Sequence, residues 1–431
     1  MPDNDINGEA GSRSRGVAAD ELRRHNLAVV LGRLHLAGPL SRSELASSTG
    51  LNRSTIADLI RELATLRMVE EGPGLTAGGP GRPSPVVRVR PDGAVALAVE
   101  LAVDSIAAAT VGLGGHVYNR VRIARPREDF SPQDAVSGTA DLARPLLAAL
   151  PSPHTFVGVG VGVAGITRRA DGFLHLAPNL GWRDVPIGAL LAAELHLPQP
   201  VSVANEADLG ALGEHRRGGH PGVQNLIYVS GEVGIGAGVI VGGEPLLGSV
   251  GYAGEAGHTL INPAGRRCRC GATGCWETEA GEAALLRHTG SPSGATGLDS
   301  LNTLSERAAA GDEATLVAIA EVGRWLGLGI GNLINLFNPE VVVLGGLYHR
   351  FFRFLEASVT QGARSQALDA PWADTRIVPS GLGMDATLVG AGELALSGTI
   401  ADPARAGNLP VRRPADPSRQ QAPVYGSPAS R

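Results

Sequence analysis

The chain has 431 residues with 37 basic and 42 acidic side chains, and its net charge of −5 is too small to indicate a partner. A content of 43% hydrophobic and 18% charged residues is typical of a soluble globular protein and excludes a disordered or fibrous one. The N-terminal residues are polar, which argues against a signal peptide, and three cysteines cannot form a disulfide scaffold. The sequence has no uninterrupted apolar run of roughly 18 residues, which argues against a transmembrane helix. We therefore expect a cytoplasmic protein of two or three domains.

Composition and charge divide the chain into four parts. Residues 1–19 and 399–431 are rich in Gly, Ser, Pro, Arg and Asp, and we predict disordered tails there. Residues 20–90 carry helical patterns, whereas residues 91–398 alternate β-branched runs with Ala/Leu-rich stretches, which predicts an α/β domain. The first 90 residues hold 12 Arg and 10 acidic residues, and the remainder holds 25 Arg and 32 acidic residues. The positive field therefore lies at the N-terminal end.

The segment 20–70 has the pattern of three helices. Ser41 and Glu44 form a capping box that predicts the start of the second helix, and Gly50 suits its left-handed end. Asn52 suits the N-cap of a third, amphipathic helix. Its predicted apolar stripe consists of Ile56, Leu59, Ile60 and Leu63. A short helix, a tight turn and an amphipathic helix are typical of a helix-turn-helix, although an ordinary small helical bundle has the same stripe.

Residues 69–70 and 86–89 could form two strands of a wing beside these helices, which favours DNA binding. Between them, residues 79–83 (GPGRP) are flat and extended with one arginine, and such a segment fits a narrow minor groove or serves as a flexible linker. We expect the DNA contacts to come from Arg42, Arg53, Ser54, Thr55 and Arg82.

All three cysteines fall within eight residues. Together with His258, they form a Cys3His set of Cys268, Cys270 and Cys275, which is a common closed tetrahedral zinc site. No ligand position is left open for chemistry, so we predict a structural zinc ion. The alternative is a group of reduced thiols near a loop.

Two further segments present polar groups suited to a ligand. Glu255 and His258 lie three residues apart in a glycine-rich turn, and Glu277 follows the last cysteine. Two carboxylates and an imidazole around one cavity suit a polyhydroxylated ligand, although the turn alone is unspecific. Asn205 and Glu206 end a predicted buried strand, where α/β sheets place ligands, but Asn205 could be only a helix cap. The glycines in 231–238 and 345–346 could hold a phosphate or form tight hairpins.

The segment GEAGHTLINPAGRRCRCGATGCWE and the N-terminal helices resemble the ROK family, which takes in repressors and sugar kinases on an actin-like, ribonuclease-H-like fold of two lobes. The likeness covers about residues 22–398. It implies zinc binding by the Cys3His set and sugar binding by Gly165, Asn205, Glu206, Glu255, His258 and Glu277. The winged helix-turn-helix with its GRP segment is similar to that of NagC/Mlc-type repressors, and simple sugar kinases of the family lack it.

Two departures from the family's kinases imply that phosphotransfer is lost. The kinases begin the domain with Asp-x-Gly-Gly-Thr, whereas this chain has Glu100-Leu-Ala-Val-Asp104. Glu206 stands where the kinases have the catalytic aspartate, and one extra methylene can misplace a general base by more than about 1 Å.

We accordingly predict a sugar-responsive regulator, a repressor that acts as a homodimer or homotetramer on a double-stranded DNA operator. Its effector would be a sugar or a sugar phosphate, and no membrane would be involved. One alternative is an active sugar kinase with an appended DNA-binding domain, which intact phosphate glycines would favour. The other is a repressor that answers to a protein partner.

Overall fold

The structure is a computed structural model that describes residues 7–73, 85–127, 130–197, 199, 201–291, 297–406, 409 and 411–412. Its N-terminal unit has three helices and a small antiparallel sheet of strand order β1-β3-β2. These elements are α1 (Asn7–Ala37), β1 (Leu40–Ser41), α2 (Arg42–Thr49), α3 (Arg53–Thr65), β2 (Val69–Gly72) and β3 (Val86–Val89).

The helix ends in this unit confirm the predicted caps. The Ser41 hydroxyl accepts from the Glu44 backbone N–H and the Glu44 carboxylate accepts from the Ser41 N–H, so the capping box is complete. Gly50 ends α2 at a φ of 71°, in the left-handed region. Asn52 caps α3 by accepting from the Thr55 N–H, and the predicted apolar stripe of α3 is buried.

Both predicted tails differ from the structure. Residues 7–19 belong to α1, because a helix whose later turns are already packed extends at a lower cost than a new helix starts. At the other end, residues 399–401 complete a helix and residues 411–412 pair with a strand. Residues 413–431 lie outside the described part of the chain.

The first lobe is built on a sheet of strand order β11-β7-β4-β5-β6, with a smaller sheet β10-β9-β8 beside it. Its elements are β4 (Val95–Leu101), β5 (Ser105–Gly112), β6 (His116–Ala124), α4 (Pro132–Ala148), β7 (His154–Val163), β8 (Ile166–Arg168), β9 (Phe173–Ala177), β10 (Trp182–Val185), α5 (Ile187–Leu195), β11 (Val201–Asn205) and α6 (Glu206–Arg217). Strands β4, β5 and β7 are buried along their whole length, as expected for runs of small and β-branched residues.

The second lobe has a five-stranded sheet of order β14-β13-β12-β15-β16. Its elements are β12 (Leu226–Gly231), β13 (Ile235–Val241), β14 (Glu244–Pro245), α7 (Trp276–Ala280), α8 (Glu282–His288), α9 (Leu298–Ala309), α10 (Glu313–Phe337), β15 (Val341–Gly345), α11 (Gly346–Gln366), α12 (Asp369–Asp374) and β16 (Arg376–Pro379). The chain then returns to the first lobe through α13 (Ala386–Ala401), α14 (Pro403–Ala406) and β17 (Val411–Arg412), which pairs with β7.

Helices α6 and α13 pack together between the two sheets. Leu209 of α6 belongs to the core beneath the first sheet, whereas Ala207 and Ala211 of the same helix pack against the second. Gly390 of α13 lies against the Leu209 carbonyl, where a Cβ atom would clash with the backbone. Helix α6 therefore contacts both lobes directly.

The N-terminal unit shares a core with the first lobe. The buried cluster that contains Leu31 and Ile60 continues into Ala96, Val111 and Leu396. The domain boundary predicted near residue 90 is therefore crossed by a continuous apolar contact.

A buried polar group joins α1 to α6 and α13. Glu393, which is 0% exposed, accepts from Arg217 Nε at 2.7 Å and Arg216 at 3.2 Å and lies 2.9 Å from His35 Nε2. The Gly114 N–H donates to His35 Nδ1 at 2.9 Å, and Arg217 Nη2 lies 2.5 Å from His35 Nε2. Arg217 also donates to the His35 carbonyl, near the C-terminal end of α1.

Among the described helices, α10 is long and apolar enough to span a membrane by length and composition alone. Its Leu326, Ile330 and Ile334 are fully buried in the core of the second lobe. Core helices meet the same composition test, and this one packs along α11.

Candidate functional site

A cleft between the lobes brings together the predicted ligand-binding side chains. Its cavity volume is about 130 Å³, and it is partly open to solvent. The predicted residues that line it are Gly165, Asn205, Glu206, Glu255, His258 and Glu277. They come from the turn after β7, the junction of β11 and α6, the loop between β14 and α7, and the first turn of α7. Ligands of α/β sheets occupy this kind of position, beyond the carboxyl ends of the strands.

Asn205 both caps a helix and lies at the wall of the cleft. Its side-chain oxygen accepts from the Ala207 N–H at 2.7 Å, which caps α6, and its amide donates to the Gly165 carbonyl at 3.0 Å. Gly165 has a φ of 142°, and a Cβ atom there would clash with the Leu176 carbonyl. The Asn205 side chain thus fixes a glycine turn at the wall of the cleft.

His258 stands between two carboxylates. Its Nε2 lies 3.9 Å from Glu255, and its Nδ1 lies 3.6 Å from Glu277. Trp276 anchors α7 by donating its indole N–H to the Trp325 carbonyl at 3.0 Å, which holds Glu277 at the cleft. Burial raises the pKa of Glu255 despite the neighbouring His258, and Glu277 raises it further.

The sequence analysis missed Glu232, which lines the same cleft. Burial raises its pKa to about 8, and the charges of Glu100 and Asp104 add to the effect. Burial also raises the pKa of Glu206 well above its usual range, and Glu232 is the largest charge contribution. The Glu206 Oε2 atom is buried with no hydrogen-bond partner among the described residues. The glycine-rich pattern after β12 was the available signal, but it drew attention to the glycines rather than to the acid between them.

The predicted Cys3His set is assembled in space. The donor atoms of His258, Cys268, Cys270 and Cys275 all lie within 4.8 Å of one another, so the cluster could hold a metal ion. The Cys270 and Cys275 sulfurs are 3.7 Å apart, and the Cys268 sulfur is 3.7 Å from His258 Nδ1. Since Nδ1 faces the thiols, Nε2 is left on the side of Glu255 and the cleft.

Ion pairs link the lobes next to the cleft. Arg127, which follows β6 of the first lobe, donates to Asp104 at 3.1 Å and to Glu282 of α8 at 3.0 Å. Burial lowers the pKa of Arg127, but the bonds and charges of Glu282 and Asp104 outweigh it and leave the pKa raised. Nearby, Arg122 donates to the buried Glu100 carboxylate at 2.6 Å. The start of the domain thus holds two paired carboxylates, those of Glu100 and Asp104.

The predicted DNA-contacting residues lie at two places in the N-terminal unit. Arg53 at the start of α3 is exposed and has no ion-pair partner among the described residues, whereas Arg42 donates to Glu71 of β2 at 2.7 Å. The Ser54 hydroxyl donates to Asn52, and Thr55 contributes its N–H to the same cap. Arg82 lies outside the described residues.

Two lobes around a cleft define an actin-like sugar-kinase fold. Residues 96–397 match the model of the ROK family, and the chain belongs to that family. It is 30% identical over 371 residues to the xylose repressor of Bacillus subtilis strain 168, which covers 86% of this chain and 94% of that protein. It is 29% identical over 315 residues to the glucokinase of Streptomyces coelicolor, with 69% of this chain and 96% of that protein covered.

Among solved structures, this chain is similar to a ROK family transcriptional regulator described as a homologue of the Escherichia coli Mlc protein. The TM-score is 0.73 at 26% identity, and the match covers 90% of this chain and 99% of the other. The repressor matches therefore extend over the N-terminal unit, whereas the glucokinase match leaves about a third of this chain uncovered.

Proposed function

We propose that the protein is a cytoplasmic, sugar-responsive transcriptional repressor. The observation that carries this proposal is the unit of three helices and a small sheet joined to the ROK domain. The glucokinase of Streptomyces coelicolor is matched over 96% of its length by only 69% of this chain, so a kinase of this family does not need such a unit. The N-terminal unit would be a winged helix-turn-helix that binds an operator, and the cleft would bind the effector. The relatives named as xylose and Mlc repressors support this assignment.

The operator would contact the exposed start of α3. Arg53 is free of ion pairs among the described residues and can reach a base edge or a phosphate, together with Ser54 and Thr55. Arg42 would exchange Glu71 for a backbone phosphate, and Arg82 would enter the minor groove. A homodimer or homotetramer would place two such units on half-sites roughly 10 or 20 base pairs apart.

The Cys3His cluster fits a structural zinc ion. Tetrahedral zinc with bonds of about 2.3 Å to sulfur separates its ligand atoms by roughly 3.8 Å. The spacing of 3.7 Å between the Cys270 and Cys275 sulfurs matches this value without rearrangement. The ion would cross-link the loop between β14 and α7, and His258 would keep Nε2 free to donate to a sugar hydroxyl.

Phosphotransfer would be absent. Glu206 would stand at the general-base position, where its extra methylene relative to an aspartate can misplace the carboxylate by more than about 1 Å from a sugar hydroxyl. Asp104, which pairs with Arg127, would add a carboxylate near the phosphates of a bound nucleotide.

Helix α6 offers a physical connection between effector and operator. Glu206 at its N-terminal end lines the cleft, and Arg217 at its C-terminal end donates to the His35 carbonyl at the end of α1. A sugar bound by residues of both lobes would draw them together, shift α6 and change the separation of the two DNA-binding units. Linkage limits the loss of operator affinity to the difference in sugar affinity between the two states, typically about 1–3 kcal/mol.

The test is operator affinity at fixed salt, with and without each of a panel of sugars and sugar phosphates. In the wild type we expect one effector to weaken binding about 5- to 150-fold. Glu255→Ala should abolish this response and leave affinity without sugar unchanged, whereas the exposed Glu244→Ala should behave as wild type. If no sugar or sugar phosphate shifts operator affinity, the proposal is refuted and control by a protein partner takes its place.

A further inference from the structure

Helix α1 carries apolar residues on two different faces. One face is buried in the core that the N-terminal unit shares with the first lobe and includes Leu27 and Leu31. The other face carries Leu22, Val29 and Leu36 at intervals of seven residues and lies outside that core. Leu22 is 61% exposed and Leu36 is 51% exposed. Apolar residues at this interval are typical of a helix that packs along another helix.

The second face of α1 borders a recess between this helix and the C-terminal end of α13. The volume of the recess is about 390 Å³, against about 130 Å³ for the cleft between the lobes. At Gly32 the two helices come close, because a Cβ atom there would lie 3.6 Å from the Ile400 side chain. The residues that line the recess are mostly small or apolar, namely Ala28, Val29, Gly32, Leu36, Ile400 and Ala401. An apolar side chain from outside would therefore find dispersion contacts on several sides.

The N-terminal part of the same helix projects away from the core. Residues 20–25, which we call the arm, are all exposed, and Leu27 is the first buried residue of α1 among those whose side chains are described. The arm carries Leu22, and the recess lies about three turns further along the helix. A surface that holds both an apolar projection and a matching recess is complementary to itself. A twofold contact between identical chains needs this kind of surface.

An antiparallel pairing of two α1 helices brings the arm of each copy to the recess of the other. Leu22 then lies opposite Gly32 of the partner subunit, and its side chain fills the space that the glycine leaves open. A parallel pairing would instead set Leu22 against Leu22 of the partner subunit and leave both recesses empty. The exposed arm and the recess therefore favour antiparallel helices.

We propose that a second copy of this chain docks through α1, with the two helices antiparallel and each Leu22 in the recess of the other copy. Arg23 in the arm donates to Glu62 of α3 at 2.7 Å, so the pairing also sets the separation of the two α3 helices. Two half-sites on a duplex require such a fixed separation. Arg216 of α6 borders the recess, so a shift of α6 changes the shape of the docking surface. This consequence for the operator rests on the proposed function, whereas the pairing itself does not.

The test is disulfide trapping of the full-length protein under mild oxidation, measured on a non-reducing gel. The variant Leu22→Cys/Gly32→Cys should form covalent dimers, because the antiparallel pair brings the two positions of different copies within disulfide reach. Within one chain these positions are about 15 Å apart along the helix and cannot bond to each other. The wild type controls for the native thiols. Leu368→Cys, at a position that is 67% exposed between α11 and α12, controls for chance collisions.

The single variant Leu22→Cys distinguishes the two orientations. In the antiparallel pair its two thiols are about 15 Å apart, so this variant should remain monomeric on the gel. A covalent dimer of Leu22→Cys would show parallel helices and overturn the proposal. A double variant that cross-links no more than Leu368→Cys would overturn it as well.

The trap needs neither DNA nor sugar, so its result is independent of the proposed function. A negative result would remove the α1 pairing and leave the sugar-responsive repressor standing. If the covalent dimer forms but no sugar or sugar phosphate alters operator binding, the proposed function fails and the pairing stands. Unchanged thermal melting of the reduced double variant checks that both substitutions leave the fold intact.

Discussion

Removal of one charge at the junction of the N-terminal unit and the ROK domain should destabilise the whole protein. Glu393→Gln keeps the shape of the side chain but replaces one oxygen by an NH2 group. Each carboxylate oxygen accepts from an arginine, one from Arg217 Nε and the other from Arg216, and His35 Nε2 lies 2.9 Å from the second oxygen. Whichever oxygen is replaced, two donors then face each other, and the arginines lose their buried counter-charge.

Two estimates of the loss agree. Although burial raises the pKa of Glu393, the hydrogen bond and charge of His35 and then the charges of Arg217 and Arg216 lower it to about 2. A shift from about 4.5 to about 2 corresponds to roughly 3 kcal/mol. Breaking a buried pair typically costs about 3–5 kcal/mol, and because the two arginine side chains are 16% and 25% exposed, the lower end applies.

The assay is thermal denaturation of the wild type and the variant at pH 7, with Glu194→Gln as the matched control. Glu194 pairs with Arg144 on the surface, where such a pair contributes about 0–1 kcal/mol. We expect the midpoint of Glu393→Gln to fall by about 6 °C or more, at roughly 2 °C per kcal/mol. Since a lowered carboxyl pKa stabilises above pH 4.5 and the benefit is lost toward pH 2, the gap to wild type should close on acidification. A midpoint no lower than that of the control would refute this reasoning.

Four further outcomes follow. Metal analysis should give about one zinc per chain, and Cys270→Ser should lower both zinc content and the melting temperature; unchanged stability without metal would contradict a structural ion. A coupled ATP assay over hexoses and amino sugars should stay at background, and turnover of about 1 s⁻¹ on any of them would disprove the loss of phosphotransfer. Arg53→Ala should weaken operator binding by about 1–3 kcal/mol if that arginine contacts guanine, while the distant Arg144→Ala should not; equal affinities would remove Arg53 from the interface. The pKa of Glu232 is raised to about 8, so the folded protein keeps a proton that the unfolded chain releases near pH 4.5. The free energy of unfolding should therefore fall as the pH rises from 5 to 8, and it should fall less steeply in Glu232→Gln. An identical pH dependence in the two proteins would show that Glu232 does not titrate in this range.

Features set by local chemistry could be predicted from the sequence. The caps at Ser41, Gly50 and Asn52 depend on residues within four positions of one another, and all three are confirmed. The Cys3His cluster was predictable because three of its ligands lie within eight residues, and the structure brings His258 to them.

Features made by distant residues could not be predicted in this way. His35 and Glu393 are 358 residues apart and neither has a motif around it. Glu232 belongs to the cleft only because β12 ends opposite α6, a consequence of how the lobes pack. The helical state of residues 7–19 depends on the packed turns that follow, which composition does not reveal.

The continuous core beneath α1 means that the N-terminal unit is not a detachable module. A fragment that ended near residue 90 would leave the apolar contacts of Leu31 and Ile60 without Val111 and Leu396. A chimaera that exchanges the N-terminal unit between two relatives would likewise need α1 and the surface of α13 from the same parent. Unfolding of the N-terminal unit should therefore expose part of the core of the first lobe, so a substitution that destabilises one should lower the stability of the other.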